Sequence, residues 1–473
     1  MKRFVPLLLL AASTSAVAQV DRTVPPPPGP EPSVDFPTIE RRALSNGLPV
    51  YIVERPGVPL VTVRLVVNAG SAAEPGTQPG LASLTADMLD EGTTRRTAPQ
   101  IADELEFLGA NLGTGASYDA SFVVLNTLSR NLRPALDIFA DVVTNPAFAA
   151  PELERVRNQR LAALLQQQDQ PVVLANQEFA SRIFGTAHPY GRPLEGTPAA
   201  IRAFRPEALR TFHTTYYRPG NASLVVVGDV SAAEVMNTLQ AALGSWSGGA
   251  ATQVRYPAAP RPHAATRIYL IDKPGSAQSE IRIGHLGVAR NHPDHYPLLV
   301  MNSILGGQFS SRINLNLRED KGYTYGARSG FAQRREAGPF TAQAGVQTQS
   351  TRESVIEFMR ELQEIREGRP ATQQEVEFAK ASLVRAEPLR LETNNQVASR
   401  IEDIILYGLP LDYYDTYTQR VQAVTPADVA RVARQYLTPD RFAIVVVGDR
   451  SRVEAGLRQL PYPVQLVTTT TAR

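Results

Sequence analysis

The chain repeats itself, and that limits what it can fold into more than any other feature. Tyr216-Tyr-Arg-Pro219, followed by Val225-Val-Val-Gly-Asp229, returns as Tyr436-Leu-Thr-Pro439 followed by Val445-Val-Val-Gly-Asp449, an offset of 220 residues. Pro206 and Pro426 keep that offset, each placed to open a helix. Near the start of each copy, Val53-Glu-Arg-Pro-Gly57 matches Ile271-Asp-Lys-Pro-Gly275 at 218 residues. One folding unit has been used twice. A length of 473 residues, too much for a single core, agrees with that.

The first copy is expected over residues 38–248 and the second over 266–462. Between them a linker over 249–265 carries Pro257-Ala-Ala-Pro260-Arg-Pro262, where all periodicity stops. Each unit mixes strands with amphipathic helices. Leu48 to Val53 and Val61 to Val67 read as strands, as does Phe122 to Leu128. Thr97 and Gln100 form a capping box ahead of Ile101, Leu105 and Leu108, and Gly109 ends that helix. Ile356, Met359 and Leu362 read as the equivalent stripe of the second copy, stopped by Gly368. Residues 463–473 read as a polar tail.

The amino terminus is an address. Lys2 and Arg3 precede an apolar run from Phe4 to Ala12, and Ala16-Val-Ala18 has the small-x-small pattern of a cleavage site. Residues 1–18 are therefore expected to be a signal peptide cut before Gln19, followed by a proline-rich leader over 19–37. No later stretch approaches twenty apolar residues, so membrane insertion is not expected. Without Lys2 and Arg3, the 48 basic residues fall level with the 46 acidic ones, which argues against a nucleic-acid partner. With no cysteine there is neither a disulfide framework nor a thiolate metal site. A periplasmic protein is the expectation.

Chemistry is expected around Asn314-Leu-Asn-Leu-Arg318-Glu-Asp-Lys-Gly-Tyr-Thr-Tyr325. Gly322 ends a helix there and a strand begins, so Arg318 and Tyr325 are positioned to project toward one spot. A planar fork of donors beside a phenol suits a peptide carbonyl or a developing oxyanion. On these residues alone, a helix-capping arginine and a half-buried strand tyrosine are the better account of the pattern. The six histidines lack acidic partners at metal-site spacing and read as structural.

Gly80-Leu-Ala-Ser-Leu-Thr-Ala-Asp-Met-Leu-Asp-Glu-Gly-Thr93 resembles the metal-binding helix of the insulinase/pitrilysin family of zinc peptidases, the inverzincins. The resemblance extends through His188-Pro-Tyr-Gly-Arg192, Tyr217-Arg-Pro-Gly-Asn221, Leu305-Gly-Gly-Gln-Phe-Ser-Ser-Arg312 and Leu317 to Tyr325. It implies an α+β fold (mixed α/β) of two homologous insulinase-like domains, each a mostly antiparallel sheet packed with helices. The family's two zinc histidines fall on Ser83 and Asp87, its general base on Ala86, and its distal glutamate ligand, about 77 residues further on, on Leu164. None of the four can serve, so no metal or catalytic residue is expected in this chain.

Arg318 and Tyr325 match the arginine/tyrosine pair with which the family grips the substrate backbone. Some bacterial members divide the work between two chains, one holding zinc and the other the pair. The resemblance thus implies a non-catalytic, substrate-binding subunit that joins a zinc-bearing insulinase-like subunit in a heterodimer acting on unfolded peptides. The alternatives are a zinc-free scaffold, as in respiratory-complex relatives, and an autonomous peptidase with a relocated metal.

Overall fold

The computed structural model describes residue 29 and residues 35–250, 252–261 and 263–468. The expected signal peptide, most of the leader and the last five residues lie outside the described residues. No helix among those described is long and apolar enough to cross a membrane.

Two six-stranded sheets carry the fold. The first contains β1 (Glu40–Ala43), β2 (Pro49–Glu54), β3 (Leu60–Val67), β4 (Asn111–Ala116), β5 (Ser121–Leu128) and β6 (Ala222–Gly228), in the order β1-β2-β6-β3-β5-β4. The second contains β7 (Arg267–Asp272), β8 (Gln278–Leu286), β9 (Thr324–Phe331), β10 (Pro339–Gln347), β11 (Ala443–Gly448) and β12 (Val464–Val467), in the order β12-β7-β11-β8-β10-β9. Five strands of each therefore run in one shared order, as the duplication requires. Each of these five-strand cores is antiparallel except for the pair β2 with β6, or β7 with β11. The sixth strand breaks the symmetry: β1 arrives from the amino-terminal side and runs antiparallel to β2, whereas β12 arrives from the carboxy-terminal side and runs parallel to β7.

Central strands β6 and β11 are buried along their whole length, which is why both read as unbroken valine-rich runs. One face of each packs on its own half. The other is covered by a helix from the opposite half: Pro171–Phe184 lies against β11 and β8, and Asn394–Tyr407 lies against β6 and β3. Ala175, Phe179 and Ile183 thereby share an apolar cluster with Tyr269, Ile271, Val445 and Val447.

A matching polar tie accompanies each exchange. Arg64 Nη1 on β3 donates to Ser399 Oγ at 3.0 Å, and Arg282 Nε on β8 donates to Asn176 Oδ1 at 2.7 Å. Arg64 and Arg282 are themselves repeat equivalents, so one latch has been duplicated along with the fold. The two halves are held as a reciprocal exchange, and neither sheet is covered without the other.

Three expectations need correction. The helix carrying the Ile356 stripe, Thr351–Gln363, follows β10 as Leu132–Thr144 follows β5, so its counterpart is that helix and not the capped helix Ala98–Phe107. Its buried face is Val355, Phe358, Met359 and Leu362, leaving Ile356 39% exposed. The expected polar tail contains β12, because pairing with β7 satisfies backbone groups that the side-chain pattern does not advertise. Phe36, assigned to the leader, is buried and stacks on Tyr414 with centroids 5.3 Å apart.

Candidate functional site

Helix Leu81–Asp87 is the segment that resembles a metal helix. Gly80 opens it at φ +91°, and a Cβ there would meet Gly196 Cα at 2.6 Å, so the turn admits only glycine. Glu74 caps the first turn, accepting from the backbone N–H of Gly80 at 3.2 Å and of Ala82 at 2.8 Å. Burial drives the Glu74 carboxyl up to about 8, against the pull of those amides and of Arg192. Leu81, Leu84 and Met88 enter the apolar core, and Ala86 is fully buried.

Ser83 and Asp87 are brought together, and a third side chain joins them. Arg160, from helix Ala150–Gln168, donates to Ser83 Oγ at 3.0 Å, to the Asp87 carboxylate and to the Glu195 carboxylate. Its own side chain is 11% exposed. Burial raises the Asp87 carboxyl above its ordinary value, and the Arg160 charge opposes the shift. Leu164, one turn beyond Arg160, is buried in the same apolar cluster as Leu84.

Zinc does not fit this donor set, because a guanidinium that stays protonated in proteins already occupies the acceptors. Among the described residues, no group of three or more His, Asp or Glu side chains is arranged to hold a metal. Sequence reasoning missed Arg160 and Glu195. The signal available was that Arg160 precedes Leu164 by one helical turn and so shares its face.

Tyr325 sits on β9, the end strand of the second sheet, and Arg318 in the turn that precedes it. Arg318 lies in a wide, π-helical turn, Leu315–Asp320. Asn316 in that turn donates to the Glu357 and Glu361 carboxylates at 2.9 and 2.7 Å, and Leu317 is fully buried. Gly322, at φ +65°, ends the turn as predicted, and Tyr323 N bonds back to Leu317 O at 2.9 Å. Asn314 Oδ1 accepts from Ala327 N at 3.0 Å, which pins β9 to the turn.

On this rigid base Tyr325 is 91% exposed. The Arg318 guanidinium stands 4.6 Å above the Phe309 ring, with Nε 3.1 Å from the Glu319 carboxylate. Among the described residues no hydrogen bond or ring contact joins Arg318 to Tyr325, and the Tyr325 hydroxyl has no partner. Exposed Phe309 is therefore a third member of the site, which its place in Leu305-Gly-Gly-Gln-Phe-Ser-Ser-Arg312 alone did not reveal. In the first half the corresponding stretch, residues 105–116, which holds the turn at Gly109 and β4, contains neither arginine nor tyrosine. The pair belongs to one copy only.

All six histidines have structural surroundings. His213 Nε2 donates to Val143 O at 2.9 Å, and burial lowers its pKa to about 4; His285 stacks on Phe442 at 5.2 Å. His188 Nδ1 accepts from Tyr190 N at 3.1 Å, His292 Nδ1 accepts from Asp294 N at 3.1 Å, and His263 contacts Arg182 O at 3.0 Å. His295 packs edge-on against Tyr296, and burial lowers it to about 3.

Comparison with known proteins agrees with this architecture. Residues 50–198 match the family described as Insulinase (Peptidase family M16), and residues 203–383 match the Peptidase M16 inactive domain. The crystal structure of a peptidase M16 inactive domain from Pseudomonas fluorescens is similar, at 31% identity and TM-score 0.80 over 87% of this chain and 98% of that one. A Helicobacter pylori protease shares the fold, at 21% identity and TM-score 0.80 over 87% of this chain and 99% of its own. An uncharacterized zinc protease of Bacillus subtilis, YmxG, is 25% identical over 86% of this chain and 98% of its length.

Proposed function

The chain belongs to the M16 insulinase family of peptidases, and from that premise we propose that it is the non-catalytic, substrate-gripping member of a two-chain zinc endopeptidase. The observation that carries the reading is the contrast between its two sites. Where a catalytic relative needs zinc ligands and a base, this chain has Arg160 clasped by Ser83, Asp87 and Glu195, with Ala86 sealed in the core. Where the substrate backbone is gripped, Tyr325 stands open to solvent on the end strand of a sheet, and half-buried Arg318 lies in the turn that leads into it.

An unfolded peptide laid along β9 pairs through its main chain, which gives affinity with little dependence on sequence. Arg318 and the Tyr325 hydroxyl then donate to the carbonyl being attacked, and the partner subunit supplies zinc, water and base. Donors placed where negative charge develops act on the transition state more than on the bound peptide. The pair acts in the periplasm, reached through the amino-terminal segment.

The test is to purify this chain with a zinc-bearing insulinase-like subunit and follow cleavage of an unstructured peptide. The mixture is active and each chain alone is not. Arg318→Ala in this chain slows the mixture by about a hundredfold or more, as expected for one lost oxyanion donor. An unchanged rate in that variant refutes the gripping role and favours a scaffold. Chelator-sensitive hydrolysis by this chain alone refutes the division of labour.

A further inference from the structure

The motif Tyr217-Arg-Pro-Gly-Asn221 plays no part in either site described above, yet it borders a cavity of about 490 Å³. That volume lies within the usual range for small-molecule pockets, about 300–1,000 Å³. Arg218, His213, Trp246, Thr214, Ser245 and Ser247 are among the residues that line it, and no aspartate or glutamate does. Arg218 Nε donates to Thr214 O at 2.6 Å, which holds the side chain in place. Among the described residues its remaining guanidinium nitrogens meet no acceptor and it forms no ion pair.

Among the described residues the hydroxyls of Ser245 and Ser247, both exposed, bond to no protein group, and the Trp246 indole N–H has no acceptor. Asn145, also in the wall, hands its side-chain N–H to Asp141 Oδ1 at 3.0 Å. That carboxylate is itself tied to Arg95 and Arg96 at 2.8 and 2.9 Å, so it is already paired behind the wall. Gly248 lets the backbone pass over the Arg218 stem, where a Cβ would meet Arg218 Cβ at 2.9 Å. The wall therefore offers one fixed cation, several free donors and no competing anion.

We infer that this cavity, walled by Arg218, Trp246, Ser245 and Ser247, is a binding site for a small oxyanion-bearing molecule, a phosphate or carboxylate compound. A planar guanidinium with two unused nitrogens matches an oxyanion in bidentate fashion, and the hydroxyls and the indole N–H complete its shell. The site is remote in sequence from Arg318 and Tyr325, and nothing in it depends on the gripping role.

Trp246 is the chain's only tryptophan, so it reports on the cavity directly. The full chain is titrated with inorganic phosphate and with citrate while indole fluorescence is followed, with sodium chloride at matched ionic strength as control. A saturable change with phosphate or citrate, absent with chloride, is expected, and the more effective anion distinguishes a phosphate ligand from a carboxylate one. Arg218→Gln weakens that binding about tenfold or more, as loss of a charge-assisted bidentate contact should. Arg218→Lys retains part of the affinity and guards against a mere folding defect, and Ser247→Ala weakens it more modestly. No saturable change with either anion, an equal response to chloride, or unaltered affinity in Arg218→Gln overturns the assignment.

Discussion

Replacing Arg160 by methionine keeps most of the apolar stem and removes the charge, so it isolates what the clasp does. Four hydrogen bonds are lost, to Ser83 Oγ, to the Asp87 and Glu195 carboxylates and, at a long 3.4 Å, to the Glu195 carbonyl. Wholly buried, the two charged bonds would be worth about 1.5–3 kcal/mol each. The carboxylates are 35% and 42% exposed, however, so water screens them and each bond is discounted to about 1 kcal/mol. With about 1 kcal/mol more for the serine bond, Arg160→Met should cost roughly 2–3 kcal/mol.

The penalty should depend on pH. The folded-state pKa of Asp87 is already raised by burial, so its ionisation opposes folding, and stability is lost as pH rises from the unfolded value through the folded one. Without Arg160 that loss deepens. Urea unfolding of both proteins at pH 4 and pH 7 measures it, and the gap between them should widen at the higher pH. A variant as stable as the parent, or a gap that ignores pH, refutes the clasp; buried ion pairs replaced by hydrophobes are sometimes neutral, which makes the test a real one.

Three further outcomes are expected. Glu74→Gln should flatten the pH dependence of thermal melting. The Glu74 pKa is raised to about 8, so its protonated form stabilises the fold at low pH. That contribution is lost as pH rises from the ordinary carboxyl range through about 8, at up to about 1.4 kcal/mol per pH unit. Gly80→Ala should lower the melting temperature sharply, by more than the roughly 1 kcal/mol of an ordinary glycine position, because its Cβ would meet backbone at 2.6 Å. Tyr325→Phe should leave urea unfolding within about 0.5 kcal/mol of the parent, since the ring is 91% exposed, while slowing peptide cleavage by the mixture proposed above.

Much of this protein is legible without coordinates. A duplicated Val-Val-Val-Gly-Asp strand and proline-opened helices appear in local order, and local order is what a shared five-strand arrangement preserves. Absence is equally legible: no packing arrangement turns Ser83, Ala86 and Asp87 into two imidazoles and a base. The capping box at Thr97 and the stop at Gly322 were readable because each depends on neighbours within a few residues.

What only the tertiary structure decided involves partners distant in the chain. Arg160 reaches Asp87 across 73 residues and Ser83 across 77; helical spacing puts it on the face of Leu164, but only packing brings that face against Ser83 and Asp87. The exchange of helices Pro171–Phe184 and Asn394–Tyr407 between halves, the strand at Val464–Val467 and the burial of Phe36 are of the same kind. Sequence determines which side chains are present and which local turns they favour. Which of them meet is set by the mutual covering of two sheets, a property of the packed whole that no single segment carries.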